Sequence, residues 1–536
     1  MVKFGAGLAA LVASLLWPIG SAADATSVPY GVPAGIEPAR ISLAHLLAAY
    51  DGAEGQLAPG TEHTLIEHRT ITRDGVSGAI AVTESGDDER IDETLGLSAI
   101  AYGTLAGRDW DMNANGEVVV EQGIHRADEI DHEALQRAIA RHGVTSEVRL
   151  LGRISTPVDA FVVEVDPHGG VPEYLYIDSA TSHLDAEVLQ YPEYTERYTY
   201  DDYRTTGGLS FAWHTTISRH DARTSVTQVP GVIDERIQDA RVGVQIDPYQ
   251  ITIPQSKSIV TFSAPRATLP GSIIDDRVVL PVQLGNRTVN LQLDSGASGI
   301  LIDTGILRAL GDPVTLDASV VPEMSVGPLT MRNVHVDAES FAGVAAPNTP
   351  VAGLIGFDFI DCVVLHVDYA DGIVEAIDPS DFTPPPGAVT LPIALDDSMP
   401  AIAASIGPAK DLRFIVDTGA DSSILFSSFG TAHADALEEG GIGAELAASW
   451  PFLSEFFAVG GSVTYRAVEV QQLSIGPWTF PSWPFNMTLD PSKFDFEDYD
   501  GLLGQDLLRY FDLYLDYPHG RIVLVPNARY TERFAT

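Results

Sequence analysis

Two short stretches carry residues whose types and spacing could do chemistry: Asp294-Ser295-Gly296 and Asp417-Thr418-Gly419. In each, apolar residues on the preceding segment deliver an Asp to a turn, and the Gly lets the chain fold tightly there. If the two segments pack about a pseudo-twofold axis, their loops meet and the carboxylates come together. Two carboxylates about 3 Å apart cannot both ionise easily, so they share a proton over a range of acidic pH. The ionised partner can take a proton from a bound water while the protonated one donates to a carbonyl oxygen. That is general acid–base hydrolysis of a peptide bond, with no metal, cofactor or covalent intermediate. Ser295 and Thr418 each offer a hydroxyl that could fix the facing loop, and Gly296 and Gly419 complete the turns. The pair titrates as a unit, so neither Asp is assigned a fixed protonation state.

The elements that must position these loops recur in the chain. Gly353–Gly372 aligns without gaps with Gly501–Gly520, sharing both glycines of each GxxG block, Asp358/Asp506, Leu365/Leu513, Asp368/Asp516 and Tyr369/Tyr517. Upstream, Met324–Val336 parallels Leu473–Phe485, and Leu291–Ser298 parallels Phe414–Asp421. Three blocks in the same order make the C-terminal region two copies of one unit, divided near the turn-rich linker Thr383–Gly387. Short strands are expected at Val278–Leu284, Thr288–Leu293 and Ile300–Ile302, with counterparts at Ala401–Ile406, Arg413–Val416 and Ile424–Phe426. Each GLIG or GLLG block then opens a short helix, Phe357–Ile360 or Gln505–Tyr510.

LDSGAS, VDTGADSSIL and the later GLIG and GLLG blocks resemble the aspartic proteases, over about Asp275–Asn527. Retropepsin-like members of that family carry one lobe per chain and dimerise; pepsin-like members carry two. This chain resembles a fused retropepsin-like pair. The resemblance implies catalytic roles for Asp294 and Asp417, and buttressing of their loops by Leu354-Ile355-Gly356 and Leu502-Leu503-Gly504. It implies a mostly β, bilobal fold with pseudo-twofold-related lobes. Family members cover the bound peptide with a hairpin flap. The second copy has 81 residues between triplet and GxxG block (Ala420–Asp500) against 56 in the first (Ala297–Ala352), so it is the expected source. Gly460 and Gly461, between apolar residues, suit the flap tip; the first copy is expected to lack a full flap. A third triplet, Asp303-Thr304-Gly305, has no partner in the second copy and reads as a strand-end turn.

Residues 24–265 have no counterpart to these blocks. Helices are expected at Ile41–Tyr50 and Asp131–Arg141, and strands around Thr64–Thr72, Gly78–Thr83, Leu97–Tyr102, Val148–Ile154, Ala160–Val165 and Glu173–Asp178. The run Tyr174–Ile217 resembles the strands of LolA-like periplasmic domains, in which a curved antiparallel sheet holds acyl chains or a hydrophobic peptide. Asp111–Gly116 has the start of a calcium loop, but Gln122 stands where the bidentate Glu is needed, so a turn between two strands is the better reading. The only cysteine, Cys362, lies in a largely apolar run and reads as a buried small hydrophobe.

Composition excludes several classes. With 31 Lys and Arg against 74 Asp and Glu, a formal charge of −43, the chain is no grip for phosphate backbones or anionic membranes. One cysteine excludes an intrachain disulfide, a Cys-rich zinc site and an iron–sulfur cluster. Residues 1–23, with Lys3, an apolar run and a small-residue cleavage site, read as a secretory signal peptide. The expected layout is a signal over 1–23, a β-rich domain over 24–265, and protease lobes over 266–383 and 384–536. The expected protein is an exported (periplasmic or secreted) aspartic endopeptidase, monomeric because both lobes share one chain. It would act on a peptide or protein, with no nucleic-acid partner and no stable membrane insertion after signal removal. The alternative is an aspartic-protease-like protein that binds peptides or envelope components without cutting. The front domain could also serve as a removable propeptide.

Overall fold

Strand dominates the chain, as its alternating patterns require. The structure, a computed structural model, describes residues 32–57, 60–120, 127–168, 170–190, 194–221, 232–247, 249–341, 345–346, 349–396, 398–433, 454–458, 461–489 and 499–534. It divides into two units: one of Met1–Asp111 with Ile124–Pro254, the other of Gln255–Thr536 with the short segment Met112–Gly123. The segment containing the asparagine-rich turn thus leaves the first unit to join the second.

The first unit is a long antiparallel sheet. From Arg108–Met112 it steps strand by strand back to Thr64–Arg73, crosses to Ile233–Val242, and continues back through Leu209–Asp221 to Val148–Ile154. The helices Leu43–Glu54 and Ala127–Ala140 lay Leu46, Leu47, Ala134, Leu135 and Ala138 against Val163, Val165 and Leu175 of the sheet. Ser42 caps the first helix, its hydroxyl accepting from the His45 amide. The strands Val148–Ile154, Ala160–Val165 and Glu173–Asp178 fall where the sequence places them. Asp88–Leu95 is a strand that sequence reading passes over, since five of its eight residues are charged. Register explains it. Ile91 and Leu95 share a face with Val82 and Gly78, and Glu89 and Glu93 lie on that same face opposite Glu84 and Ile80. Further along the sheet, Glu67 on Thr64–Arg73 and Glu235 on Ile233–Val242 hold Arg69, with Arg69 Nε donating to Glu67 at 2.8 Å. Burial pushes the Glu93 carboxyl up to about 7, with Glu235 adding to it. Burial does the same to Glu89, also about 7.

The second unit contains the repeat, and its two copies share one strand order. In copy 1 the order runs Ser272–Ile274, Arg277–Leu284, Arg287–Leu293, Gly353–Ile355, Ile300–Asp303, Leu329–Glu339. In copy 2 it runs Ala394–Asp396, Met399–Ile406, Ala409–Val416, Gly501–Leu503, Ile424–Leu425, Trp478–Thr488. In both, one further strand (Ala318–Val326 or Gly461–Ile475) pairs with the second and the last of these, folding the sheet over a shared core.

The closing strands of the two copies join in a third sheet, with Val364–Asp368 antiparallel to Phe511–Asp516. His366 sits opposite Tyr514, its own counterpart in the repeat, and their rings stack 4.2 Å apart. A residue facing its repeat-mate marks a local pseudo-twofold axis. The second unit is therefore bilobal and mostly β.

Two details depart from expectation. Asp303-Thr304-Gly305 is not a plain turn: Asp303 caps the helix Thr304–Leu310, accepting from the Gly305 and Ile306 amides. The helix after GLLG ends at Leu508 and not at Tyr510.

Candidate active site

Each triplet is delivered by a buried strand that runs parallel to the GxxG strand. Gln292 and Leu293 pair with Leu354 and Ile355, and Ile415 and Val416 with Leu502 and Leu503. The Asp294 amide donates to the Ile355 carbonyl at 3.1 Å, and that of Asp417 to the Leu503 carbonyl at 3.0 Å. Beyond the strand, the Gly356 amide reaches the Gly299 carbonyl and the Gln505 amide the Ala420 carbonyl, at 3.0 and 2.9 Å. A side chain at Gly356 or Gly504 would collide with the loop backbone it supports.

The two loops lock reciprocally. The Ser295 amide donates to Thr418 Oγ1 at 3.0 Å, and the Thr418 amide donates to Ser295 Oγ at 2.9 Å. Each hydroxyl then donates across the axis to a strand carbonyl: Ser295 to Val416 at 2.6 Å, Thr418 to Leu293 at 3.3 Å. Both residues are buried, so four polar groups that would be orphaned satisfy one another. Two glutamines add to the lock, with Gln292 Nε2 donating to the Gly419 carbonyl at 3.0 Å and Gln505 Nε2 to that of Thr418. Neither glutamine stands out in the sequence, because neither lies at a matching position in both copies.

With the loops held this way, each catalytic candidate faces the other's glycine. A methyl group added at Gly296 would come 2.9 Å from the Asp417 carboxyl carbon, and one at Gly419 would run into the Asp294 carboxylate. The carboxyls share a hydrogen bond, and each also accepts from its own loop: Gly296 N to Asp294 at 2.9 Å, Gly419 N to Asp417 at 2.7 Å. Burial and then the Asp417 charge lift the Asp294 carboxyl well above the usual carboxylate range. Burial also raises Asp417, against the loop amides that favour its charge. Such a pair keeps one proton to higher pH than a lone Asp would.

The repeat-matched acids behind the loops brace them. Asp506 accepts from the Ser423 amide and hydroxyl, both at 2.8 Å, and from the Trp483 indole at 3.2 Å. Asp358 accepts from the Ile300 amide at 2.9 Å. Their shared position in the two copies is the signal the sequence offers for them.

Of the flap positions, Gly461 opens the strand Gly461–Ile475 opposite Ala458 of Ser454–Ala458, an antiparallel pair in copy 2. Gly460 lies outside the described residues. In copy 1 no strand precedes Ala318; residues 311–317 lead straight from the helix Thr304–Leu310 into it. Cys362 is buried, and burial pushes its thiol up, as suits packing and not nucleophilic attack. Among the described residues, no group of three or more His, Cys, Asp or Glu side chains is placed to hold a metal ion, and no helix is long and apolar enough to cross a membrane.

No family model matches the chain, and no curated protein matches it. Among solved structures it is similar to an aspartic proteinase from Irpex lacteus, at 14% identity over 50% of this chain and 98% of that one, with a TM-score of 0.30. It is also similar to a retropepsin-like aspartic protease from Rickettsia conorii, at 20% identity over 26% and 89%, with a TM-score of 0.19. A LolA superfamily protein from Nitrosomonas europaea matches at 12% identity over 40% and 98%, with a TM-score of 0.26. The neighbours thus include both aspartic proteinases and LolA-like proteins.

Proposed function

We propose that this chain is an exported, monomeric aspartic endopeptidase that cuts an extended peptide or protein segment with a water activated between Asp294 and Asp417. The observation that supports it most is the reciprocal lock of Ser295 and Thr418, which sets each carboxylate against the opposite loop. In this reading the pair enters the reaction with one proton. The ionised carboxylate takes a proton from water as the water oxygen bonds to the carbonyl carbon. The protonated carboxyl gives its proton to the carbonyl oxygen. Collapse of the tetrahedral diol returns that proton and breaks the C–N bond, while the other carboxyl protonates the leaving amine. Residues 1–23 serve as the export signal, 266–383 and 384–536 as the two lobes, and most of 24–265 as a non-catalytic domain.

The test is cleavage of a diverse peptide library by the mature chain from about pH 3 to 8, a span chosen to bracket a shared-proton dyad. Asp294→Asn and Asp417→Asn are run beside it. Loss of general acid–base catalysis is expected to lower the rate by at least roughly 10²–10⁴-fold in either variant. A second reading, a peptide or envelope-component binder, draws on the absence of a strand ahead of Ala318 in copy 1. Binding without cutting at every pH would favour it.

A further inference from the structure

The two braces behind the catalytic loops are not built alike. In copy 2 the Asp506 carboxylate takes its donors from within the repeat: the Ser423 amide and hydroxyl on one oxygen, the Trp483 indole on the other. The sheet pairings put Ile300 where copy 2 has Ser423, since Leu301 faces Leu354 as Ile424 faces Leu502. The block alignment puts Val334 where copy 2 has Trp483. Copy 1 has therefore lost both side-chain donors, and only the Ile300 backbone amide remains, on Asp358 Oδ2. Asp358 is nonetheless buried, at 4% exposure, where a carboxylate oxygen without a donor is costly.

The missing donor comes from 245 residues away. Asn113, in the segment Met112–Gly123, donates from Nδ2 to Asp358 Oδ1 at 2.8 Å and to Glu117 Oε2 at 2.9 Å. Its Oδ1 accepts from the Asn115 and Glu117 amides at 3.0 and 3.1 Å, which fixes the amide orientation and points the NH2 at the acids. The segment is pinned around that contact. Asn115 pairs with the His335 backbone in both directions, at 3.0 and 2.8 Å, and the Lys257 amide donates to the Gly116 carbonyl at 2.9 Å. Glu117, 1% exposed, also accepts from the Cys362 thiol at 3.3 Å. Burial, the Asp358 charge and a hydrogen bond with Asp358 push the Glu117 carboxyl well up, so it meets Asp358 as a proton-holding acid and adds a second side-chain donor beside Asn113.

We infer that Asn113, with Glu117 beside it, is a positioning residue for the Asp294 loop, supplying copy 1 with a buried side-chain donor in place of those that Ser423 and Trp483 give copy 2. The route runs from Asn113 through Asp358 to the Ile300 amide, six residues past Asp294, and to Gly299, whose carbonyl receives the Gly356 amide. The inference rests on the protease reading for its catalytic consequence but not for its structural one. The segment is part of the second unit, so a propeptide cut that removed residues 24–265 would strip the brace from copy 1.

Three variants of the full mature chain test it. Asn113→Asp keeps the turn's acceptor oxygen and exchanges the amide donor for a third carboxyl beside Asp358 and Glu117; Asn113→Ala loses both; Asn113→Ala with Ile300→Thr returns a hydroxyl at the position of Ser423. Hydrogen exchange is read over residues 294–302, with 417–425 of the same molecule as the internal control. Both single variants are expected to exchange faster in the first stretch only, and the double variant to recover part of the protection. In peptide cleavage, both singles are expected to lower kcat by about 10- to 100-fold, with KM within about twofold, as a small loop misplacement does. Wild-type exchange in 294–302 for Asn113→Asp overturns the inference, as does an equal loss in both stretches. If the wild type cuts no peptide but the exchange pattern appears, the protease reading fails and the brace stands. If the wild type cuts and Asn113→Asp cuts with the same kcat, the brace has no catalytic role.

Discussion

The two copies of the repeat agree where they touch and differ where they do not. At the axis, the triplet, the parallel GxxG strand and the short helix after it recur with nearly the same hydrogen bonds. Away from it, copy 2 adds the hairpin Ser454–Ala458/Gly461–Ile475. Both copies have a short helix after the third strand, Thr304–Leu310 and Ser427–Ala432, but the first alone of these two has a side-chain cap, and copy 1 adds the outside strand Val260–Thr261 on Leu329–Glu339. The strand order survives throughout both copies, but close symmetry is kept where the two loops meet. Two loops that must meet across an axis constrain each other, while sheet edges are free to diverge.

The sharpest way to break that agreement is a methyl group at the axis. Gly419→Ala should abolish cleavage, because the added carbon overlaps the Asp294 carboxylate; Gly296→Ala, with its nearest contact at 2.9 Å, should leave measurable activity. Steady-state cleavage rates of the two variants check this, and equal rates would mean that the loops are less closely apposed.

Next in size are the crossed hydroxyls. Ser295→Ala and Thr418→Val each leave a buried amide and a carbonyl without partners, at about 1–3 kcal/mol per orphaned group. Because the two side chains form one lock, the double variant should lose less than the sum of the singles. Chemical denaturation of the four proteins measures the coupling.

A third expectation concerns the buried carboxyls. Burial, reinforced by Asp358, raises Asp337 in copy 1 to about 7; burial lifts Asp361 to about 6, with Asp358 again adding to it. Carboxyls raised in the folded state contribute stability that is full below their unfolded values near 4 and is lost as pH rises through 6–7. Glu89 and Glu93 in the first unit act in the same direction. A carboxyl that holds its proton one pH unit higher in the folded chain forfeits ~1.4 kcal/mol on ionising, and each kcal/mol lowers the melting point by roughly 2–4 °C. The protein should therefore melt several degrees lower at pH 8 than at pH 5. Scanning calorimetry reads the total. A melting point that rises over this range would contradict the assignment of these groups.

The smallest effect is expected at Ser423→Ala. The hydroxyl's bond to Asp506 is lost and the Gly504 amide loses its acceptor at 3.1 Å, but the Ser423 amide and the Trp483 indole still hold Asp506, so about 1–3 kcal/mol of stability should go, with little change in kcat. A large fall in kcat would show that copy 2 depends on its hydroxyl more than copy 1 does on Asn113.

Much of this arrangement is legible in the sequence because it is local or repeated. The strands leading to Asp294 and Asp417, the GxxG blocks and the helix Phe357–Ile360 follow from apolar runs and from matching letters in two places. Asp358 and Asp506 match as well, yet their work stays hidden, because an alignment shows that a carboxylate recurs and not what it accepts from. Asp303 reads as a turn, since capping a helix depends on what the following seven residues do against the core. Glu89 and Glu93 mask a strand because buried acids defeat the usual alternation. Asn113 is beyond the reach of sequence: its motif looks like a calcium loop, and its partner is 245 residues away. The tip residue Gly460 lies outside the described residues, and the flap expectation for copy 2 extends no further than the paired strands around it.

The placement of the asparagine ahead of the repeat sets the order in which the braces can close. On the ribosome, Asn113 is already waiting when Asp358 emerges, whereas Asp506 is made 148 residues later, about 7–30 s at 5–20 residues per second. Nascent chain can thus complete the first brace before the second has its acid. In a full-length chain refolding from denaturant the advantage reverses. Ser423 and Asp506 are 83 residues apart against 245 for the other pair, and loop closure favours the shorter by about 1 kcal/mol. Synthesis and refolding thus favour opposite orders of closure.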